Sequence, residues 1–107
     1  MFSLVVARDV LHFFSPEDRA AILNRMFTSL MPGGTIYLRL NRINSPAIVR
    51  NQEWEKVGEN SYAWNGFENE KCWLAGPEEV SNLVRDFRIL SSDFEDRYRI
   101  TVLARKD

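Results

Sequence analysis

Apolar residues in this chain change period as it proceeds, and each change marks an element. Phe2 to Ala7 is a short apolar run with Val5 and Val6 at its centre. It lacks strict alternation, which predicts a strand buried on both faces. Arg8 and Asp9 close that run, and Val10 to Phe14 reads as a turn or a single helical turn. Ser15 then predicts an N-cap, with Pro16 at the first helical position and Asp18 three residues beyond, a pattern like a capping box. Ile22, Leu23, Met26, Phe27 and Leu30 follow helical spacing, and Arg19, Asn24 and Arg25 are read as lying off that stripe. Pro32 cannot continue the helix, and Gly33 is suited to the left-handed conformation that ends one. From Thr35 to Asn41 the pattern alternates: Ile36, Leu38 and Leu40 face one way, Tyr37, Arg39 and Asn41 the other. Strand, helix and strand in this order predict a right-handed β-α-β unit.

The pattern weakens from Arg42 to Gly76. Ser45-Pro46 could cap a short helix through Val49, and Gly58 to Asn69 mixes turn residues with Tyr62, Trp64 and Phe67, between Trp54 and Trp73. A long segment of low regularity is more often functional or mobile than an inert connection. Regularity returns at Gly76-Pro77, where Val80, Leu83, Val84 and Phe87 predict a buried helical stripe and Glu78 and Glu79 suit the positive end of the helix dipole. Arg88 to Phe94 and Tyr98 to Arg105 then predict two strands. The short charged turn between them makes the pair antiparallel.

Composition narrows the function classes. A length of 107 residues predicts one domain. Fifteen acidic against fourteen basic residues give a net charge of −1, which provides no global attraction to nucleic acid or to an anionic membrane. The C-terminal arginines are interleaved with Asp93, Glu95 and Asp96 and read as a solvated hairpin face. Cys72 is the single cysteine, so no internal disulfide can form and a reducing compartment is expected. No basic region followed by an apolar run opens the sequence, and no apolar stretch approaches spanning length, so a cytoplasmic protein is expected. One histidine and one cysteine do not make a usual metal-ligand set.

Five segments in order carry a resemblance. LVVARDVLHFF, the helix from Ser15 to Leu30, LMPGGTIYLRL, LAGPEEVSNLVRDFRIL and YRITVLARK together resemble the C-terminal half of a class I S-adenosylmethionine (SAM)-dependent methyltransferase. The resemblance implies an α/β fold: a partial Rossmann-like methyltransferase sheet made of β-α-β, a variable aromatic insert over residues 42–76, a helix and an antiparallel hairpin. It also implies SAM as cofactor and a small-molecule methyl acceptor. One departure is large. The family holds its cofactor with a glycine-rich turn after its first strand and an acidic residue ending its second, and this sequence has neither. Gly33-Gly34 follows a helix and precedes a strand, the reverse of the order a cofactor loop needs. The chain resembles such an enzyme without its first half. Ser3, where the family often has Asp, is a smaller departure.

The resemblance implies that Ala7, Arg8 and Asp9, at the carboxyl end of the first strand, lie beside the cofactor. The bland alternative makes Asp9 a turn cap and Arg8 a solvated or ion-paired side chain. His12 could position an acceptor or take a proton, its reference pKa being about 6.5, or it could be a partly buried turn residue. Asn41 and Arg42 would border the acceptor pocket or cap a loop. Trp64, with Trp54, Tyr62, Phe67 and Trp73, would form a lid that keeps the pocket dry or a satellite core. Cys72 has no evident activating partner. The first reading is therefore part of a methyltransferase, inactive as the isolated chain. The second is a non-catalytic association module. In a complete family member the first strand would be paired on both sides. Here Phe2 to Ala7 is left as an apolar edge, which predicts a homodimer or a complex through that strand.

Overall fold

The computed structural model describes residues 2–8, 11–64 and 67–107, with side chains described for all of these except residues 2 and 67–70. The first strand, β1 (Phe2–Arg8), leads through a single 3-10 turn (Leu11–Phe13) into α1 (Pro16–Ser29), which returns the chain to β2 (Leu30–Asn41). β1 and β2 pair in parallel, Val5 opposite Ile36 and Ala7 opposite Leu38. After a short helix α2 (Pro46–Val49), the strands β3 (Trp54–Gly58), β4 (Ser61–Trp64) and β5 (Phe67–Trp73) form a separate antiparallel sheet. α3 (Pro77–Leu83) then precedes β6 (Arg88–Asp93) and β7 (Arg99–Arg105), which complete a four-stranded sheet of order β1-β2-β7-β6. β7 runs antiparallel to both β2 and β6. Among the described residues no helix is long and apolar enough to cross a membrane.

Sequence explains the caps. The Ser15 hydroxyl accepts the Asp18 backbone N–H at 3.3 Å, satisfying one of the orphan donors of the first turn. The other end of α1 differs from expectation. Gly33 does take a left-handed φ of 83°, but the helix has already ended at Ser29, and Leu30 is extended. The terminal carbonyls of α1 are met by a distant cation: Lys106 Nζ donates to Phe27 O at 2.7 Å and to Leu30 O at 2.8 Å. A positive charge at a helix C-terminus is favourable, and this one fastens the end of β7 to α1. Ser45 stands at the N-cap of α2, yet its buried hydroxyl makes no cap bond.

The core lies on one face of the four-stranded sheet. Ala7, Ile36, Leu38, Leu40, Ile100, Val102 and Ala104 point into it, and Leu23 of α1 with Val80 and Val84 of the α3 region close it from above. Each such Leu, Ile or Val contributes about 1.5–3 kcal/mol relative to an exposed position. The alternation expected for β2 is borne out. The expectation that β1 is buried on both faces is not. Val5 and Ala7 turn toward α1, whereas Leu4 and Val6 are 55% and 58% exposed. Adjacent strand residues point to opposite faces, and no described element covers the second one here.

The insert is more regular than its sequence pattern. Its three strands are hard to read because β3 is largely exposed and only Ser61 and Ala63 are buried in β4, so no apolar alternation marks them. The turn between β3 and β4 carries Asn60 at φ 55°, a conformation asparagine tolerates better than most residues. Beneath the sheet, Ile48, Cys72 and Leu74 form a second small core with Ile43, Trp54 and Tyr62 against it.

Candidate functional site

In open α/β sheets ligands gather at the carboxyl ends of parallel strands. Here those ends are Ala7-Arg8 of β1 and Leu40-Asn41 of β2. Ala7 is buried, a small residue opposite Leu38, and Arg8 is exposed and in register with Arg39. Asp9 lies outside the described residues. The 3-10 turn that follows buries Leu11 and His12, with the His12 ring 4.4 Å from that of Phe13, and β5 packs against this turn. His12 thus sits at the junction of the two sheets, beside the β1 carboxyl end.

Asn41 and Arg42 serve the scaffold at the neighbouring strand end. Asn41 Nδ2 donates to Cys72 Sγ at 3.6 Å, and the Asn41 carbonyl accepts the Ala75 N–H at 2.9 Å. Arg42 Nη1 donates to the Phe94 carbonyl, and the Arg42 backbone N–H to Tyr98 O at 3.0 Å. Both side chains are therefore tied to neighbouring segments, Asn41 to the insert and Arg42 to the hairpin. Burial pushes the Cys72 thiol above its usual pKa, with the Asn41 bond and the Arg19 charge opposing more weakly. A thiol so placed is inert at neutral pH.

Trp64 is not brought to this end. It pairs with Phe67 at one end of the β4–β5 ladder, while Trp73 pairs with Ser61 at the other. Six residues of strand separate Phe67 from Trp73, roughly 20 Å. The Trp64 ring instead meets Trp54 edge-on at 5.2 Å. Trp54 and Tyr62 pack on the satellite core, and the Phe67 side chain lies outside the described residues.

The residue that organises the region is one the sequence pattern misplaces. Arg19, read as lying off the apolar stripe, is 0% exposed. Its Nε and Nη2 grip the Glu79 carboxylate at 2.7 and 2.6 Å, a bidentate pair between α1 and α3. Nη1 donates to Trp73 O at 2.8 Å and Phe14 O at 3.4 Å, and Nη2 reaches Leu74 O at 3.4 Å. One guanidinium thus fixes α3, the end of β5 and the segment after His12. The signal was available: Arg19 precedes Ile22 by three residues and Leu23 by four, which places it on the stripe's own extension.

The arrangement does not supply a cofactor cradle. Gly33 donates its N–H to Lys106 O at 2.6 Å and stands at the amino end of β2, the opposite end from Arg8 and Asn41. The Gly33-Gly34 pair therefore cannot lie against a ligand at the strand carboxyl ends. The backbone approach that a dinucleotide-type site requires is absent from the described residues of those ends. A cleft of about 400 Å³ between α1 and α3, lined by Ala20, Phe27, Glu79 and Asn82 among others, lies over the helical layer instead.

No family model matches the chain. A chemotaxis protein methyltransferase of Vibrio parahaemolyticus serotype O3:K6 is 46% identical over 37 residues, covering 35% of this chain and 14% of that protein. Solved structures align over far more. A SAM-dependent methyltransferase from Methanosarcina mazei matches 98% of this chain and 59% of its own length, at 18% identity and a TM-score of 0.73. A S-adenosylmethionine-dependent methyltransferase from Clostridium acetobutylicum ATCC 824 matches 98% of this chain and 58% of its own, at 15% identity and a TM-score of 0.75. The chain spans somewhat under two thirds of these structures. The architecture built by β1, α1, β2 and the closing α3-β6-β7 unit is accordingly a partial Rossmann-like methyltransferase fold.

Proposed function

We propose that this chain is the C-terminal portion of a SAM-dependent methyltransferase, acting on a small-molecule acceptor. The observation that carries the reading is the topology: a parallel β-α-β unit closed by an antiparallel strand and its hairpin partner, superposable over 98% of the chain on methyltransferases of known structure. On this reading Ala7, Arg8 and Asp9 border the cofactor. His12, Asn41 and Arg42 belong to the acceptor side, with Asn41 and Arg42 shaping the strand end through their bonds to Cys72 and Phe94. The residues present do not fit a complete SAM site, because Gly33-Gly34 is at the wrong end of the sheet. The glycine-rich part has to come from additional polypeptide, and the isolated chain neither binds SAM nor transfers a methyl group. The protein works in the cytoplasm and contacts neither nucleic acid nor membrane.

Calorimetry tests this. SAM is titrated into the chain alone and into the polypeptide extended through the coding DNA upstream of Met1. The reading expects no heat from the first and saturable binding from the second. An extended polypeptide that folds and gives no heat at millimolar SAM removes the reading. A second function, an association module without catalysis, is favoured by the exposure of Leu4 and Val6 on the edge strand.

A further inference from the structure

We propose that the cleft between α1 and α3 binds a free α-amino acid with a bulky apolar side chain. The two helices run in the same direction and are joined by one contact at each end of the cleft. Near their starts, Arg19 grips the Glu79 carboxylate. Further along α1, roughly 12 Å on at the helical rise, the Phe27 ring meets that of Phe87 edge-on at 5.0 Å. Between these two struts Ala20, Leu23 and Asn24 face Asn82 and Leu83 across a space of about 400 Å³. The cleft is therefore preformed, and its volume suits a small molecule. It also stands clear of the sheet edge. Ile22, Arg25, Met26 and Ser29, the α1 residues beside β1, lie on the opposite flank of the helix from Ala20, Asn24 and Phe27. Further polypeptide pairing with β1 adjoins that flank and leaves the α3 side to this chain's own residues.

The ligand class follows from the lining. The floor is apolar: Leu23 and Phe87 are 2% and 9% exposed, with Phe27 and Leu83 partly buried beside them. Three charged residues line the cleft, Glu79, Arg85 and Asp86. The Glu79 charge is answered by Arg19. Arg85 and Asp86 are both exposed, and neither is ion-paired to another described residue. They are neighbours in sequence, with Cα atoms about 3.8 Å apart, so the lip offers one cation and one anion close together. An α-amino acid carries the matching pair on a single carbon. Its carboxylate takes the forked N–H donors of Arg85, and its ammonium donates to Asp86. A plain amine would meet the like charge of Arg85, and a plain acid that of Asp86, so the zwitterion is selected over either. The apolar side chain then covers Leu23, Leu83 and Phe27 and removes them from water. This binding does not depend on methyl transfer.

Titration of the full chain with L-phenylalanine, followed by amide NMR shifts, tests the proposal. Saturable shifts are expected at Ala20, Asn24, Asn82 and Leu83, with half-saturation at about millimolar ligand. Phenethylamine, which lacks the carboxylate, and 3-phenylpropionate, which lacks the ammonium, should each bind about tenfold more weakly. Glycine, with no side chain to cover the floor, should give no saturable shift. Arg85→Gln should weaken L-phenylalanine about tenfold and leave phenethylamine no weaker. Asp86→Asn should do the same to L-phenylalanine and leave 3-phenylpropionate no weaker. Ala20→Trp fills the cleft from an exposed position and should abolish binding. Circular dichroism confirms folding of each variant, and the two lip variants decide the matter even if Ala20→Trp fails to fold. The polypeptide extended through the coding DNA upstream of Met1 should show the same shifts. Absence of saturable shifts from L-phenylalanine in either polypeptide overturns the proposal. So does equal binding of phenethylamine or 3-phenylpropionate, or binding of L-phenylalanine that Arg85→Gln and Asp86→Asn leave unchanged.

Discussion

On the side of α1 that faces α3 and β5, Arg19 is fully buried and its guanidinium is bonded to Glu79 and to the carbonyls of Phe14, Trp73 and Leu74. On the side that faces β1, Ile22 and Met26 border an open groove with Arg25 and Ser29 at its rim. The same helix is thus finished on one flank and unfinished on the other. The finished flank shows how this fold tolerates a buried charge: donors reach a carboxylate and three backbone oxygens in three segments of the chain. Burying a charge without such partners would cost far more than the pair returns. The unfinished flank has the opposite character. Its groups are mostly apolar and incompletely covered, and one side of the strand beneath them pairs with no other described strand.

The comparison can be broken from the finished side first. Arg19→Ala should lower stability by ~3 kcal/mol in urea unfolding, at the low end for a buried pair because Glu79 is 28% exposed and can be rehydrated. A loss below 1 kcal/mol would mean that the guanidinium is not holding the three segments together. Leu23→Ala, also on the closed interior, should cost ~2.5 kcal/mol through lost burial and the cavity left behind. Ile22→Ala on the open flank should cost only ~1 kcal/mol at concentrations where the chain is monomeric, since the side chain is partly exposed and the site relaxes. Equal losses at positions 22 and 23 would erase the contrast between the flanks. Ser15→Ala removes the bond to the Asp18 N–H at the start of the helix, away from both flanks, and should cost ~0.7 kcal/mol.

The smallest effect is expected at the hairpin, and it is read from its pH dependence. Asp96 accepts the Tyr98 N–H at 2.7 Å and the Arg99 N–H at 3.1 Å, and these bonds hold its carboxyl below the usual carboxylate range. Its folded pKa is the lower one, so its contribution is complete above the unfolded value, near 3.9, and is lost as pH falls through the folded value. Asp96→Asn should therefore lower the Tm slightly at neutral pH, with the difference vanishing in strong acid. A difference that persists unchanged in strong acid would assign it to something other than the carboxylate charge.

How much of this was legible depends on the range of the interaction. The N-cap at Ser15, the inward triplet Ile36-Leu38-Leu40 and the antiparallel β6–β7 pair are local patterns, and they can be read directly. The insert is a poorer case, because a strand that buries only Ser61 and Ala63 carries no apolar signature. The candidate site divides in the same way. Arg8 and His12 fall beside the β1 carboxyl end, as expected from chain order. Trp64 falls at the far end of its ladder, because register within the insert is set by a turn and a bulge that periodicity does not record.

The sequence by itself determined the order of elements outside the insert, the inward face of β2, the start of α1 and the absence of a glycine-rich strand-to-helix turn, each a property of residues close together along the chain. Only the tertiary structure decided that Arg19 is buried, that Lys106 rather than glycine closes the end of α1, that Gly33-Gly34 sits away from the strand carboxyl ends, and that β1 is covered on one face alone. The reason is physical. Periodicity says which residues share a face, and the partner that face meets is fixed by segments some 60 to 80 residues away, such as Glu79 for Arg19 and Lys106 for Phe27.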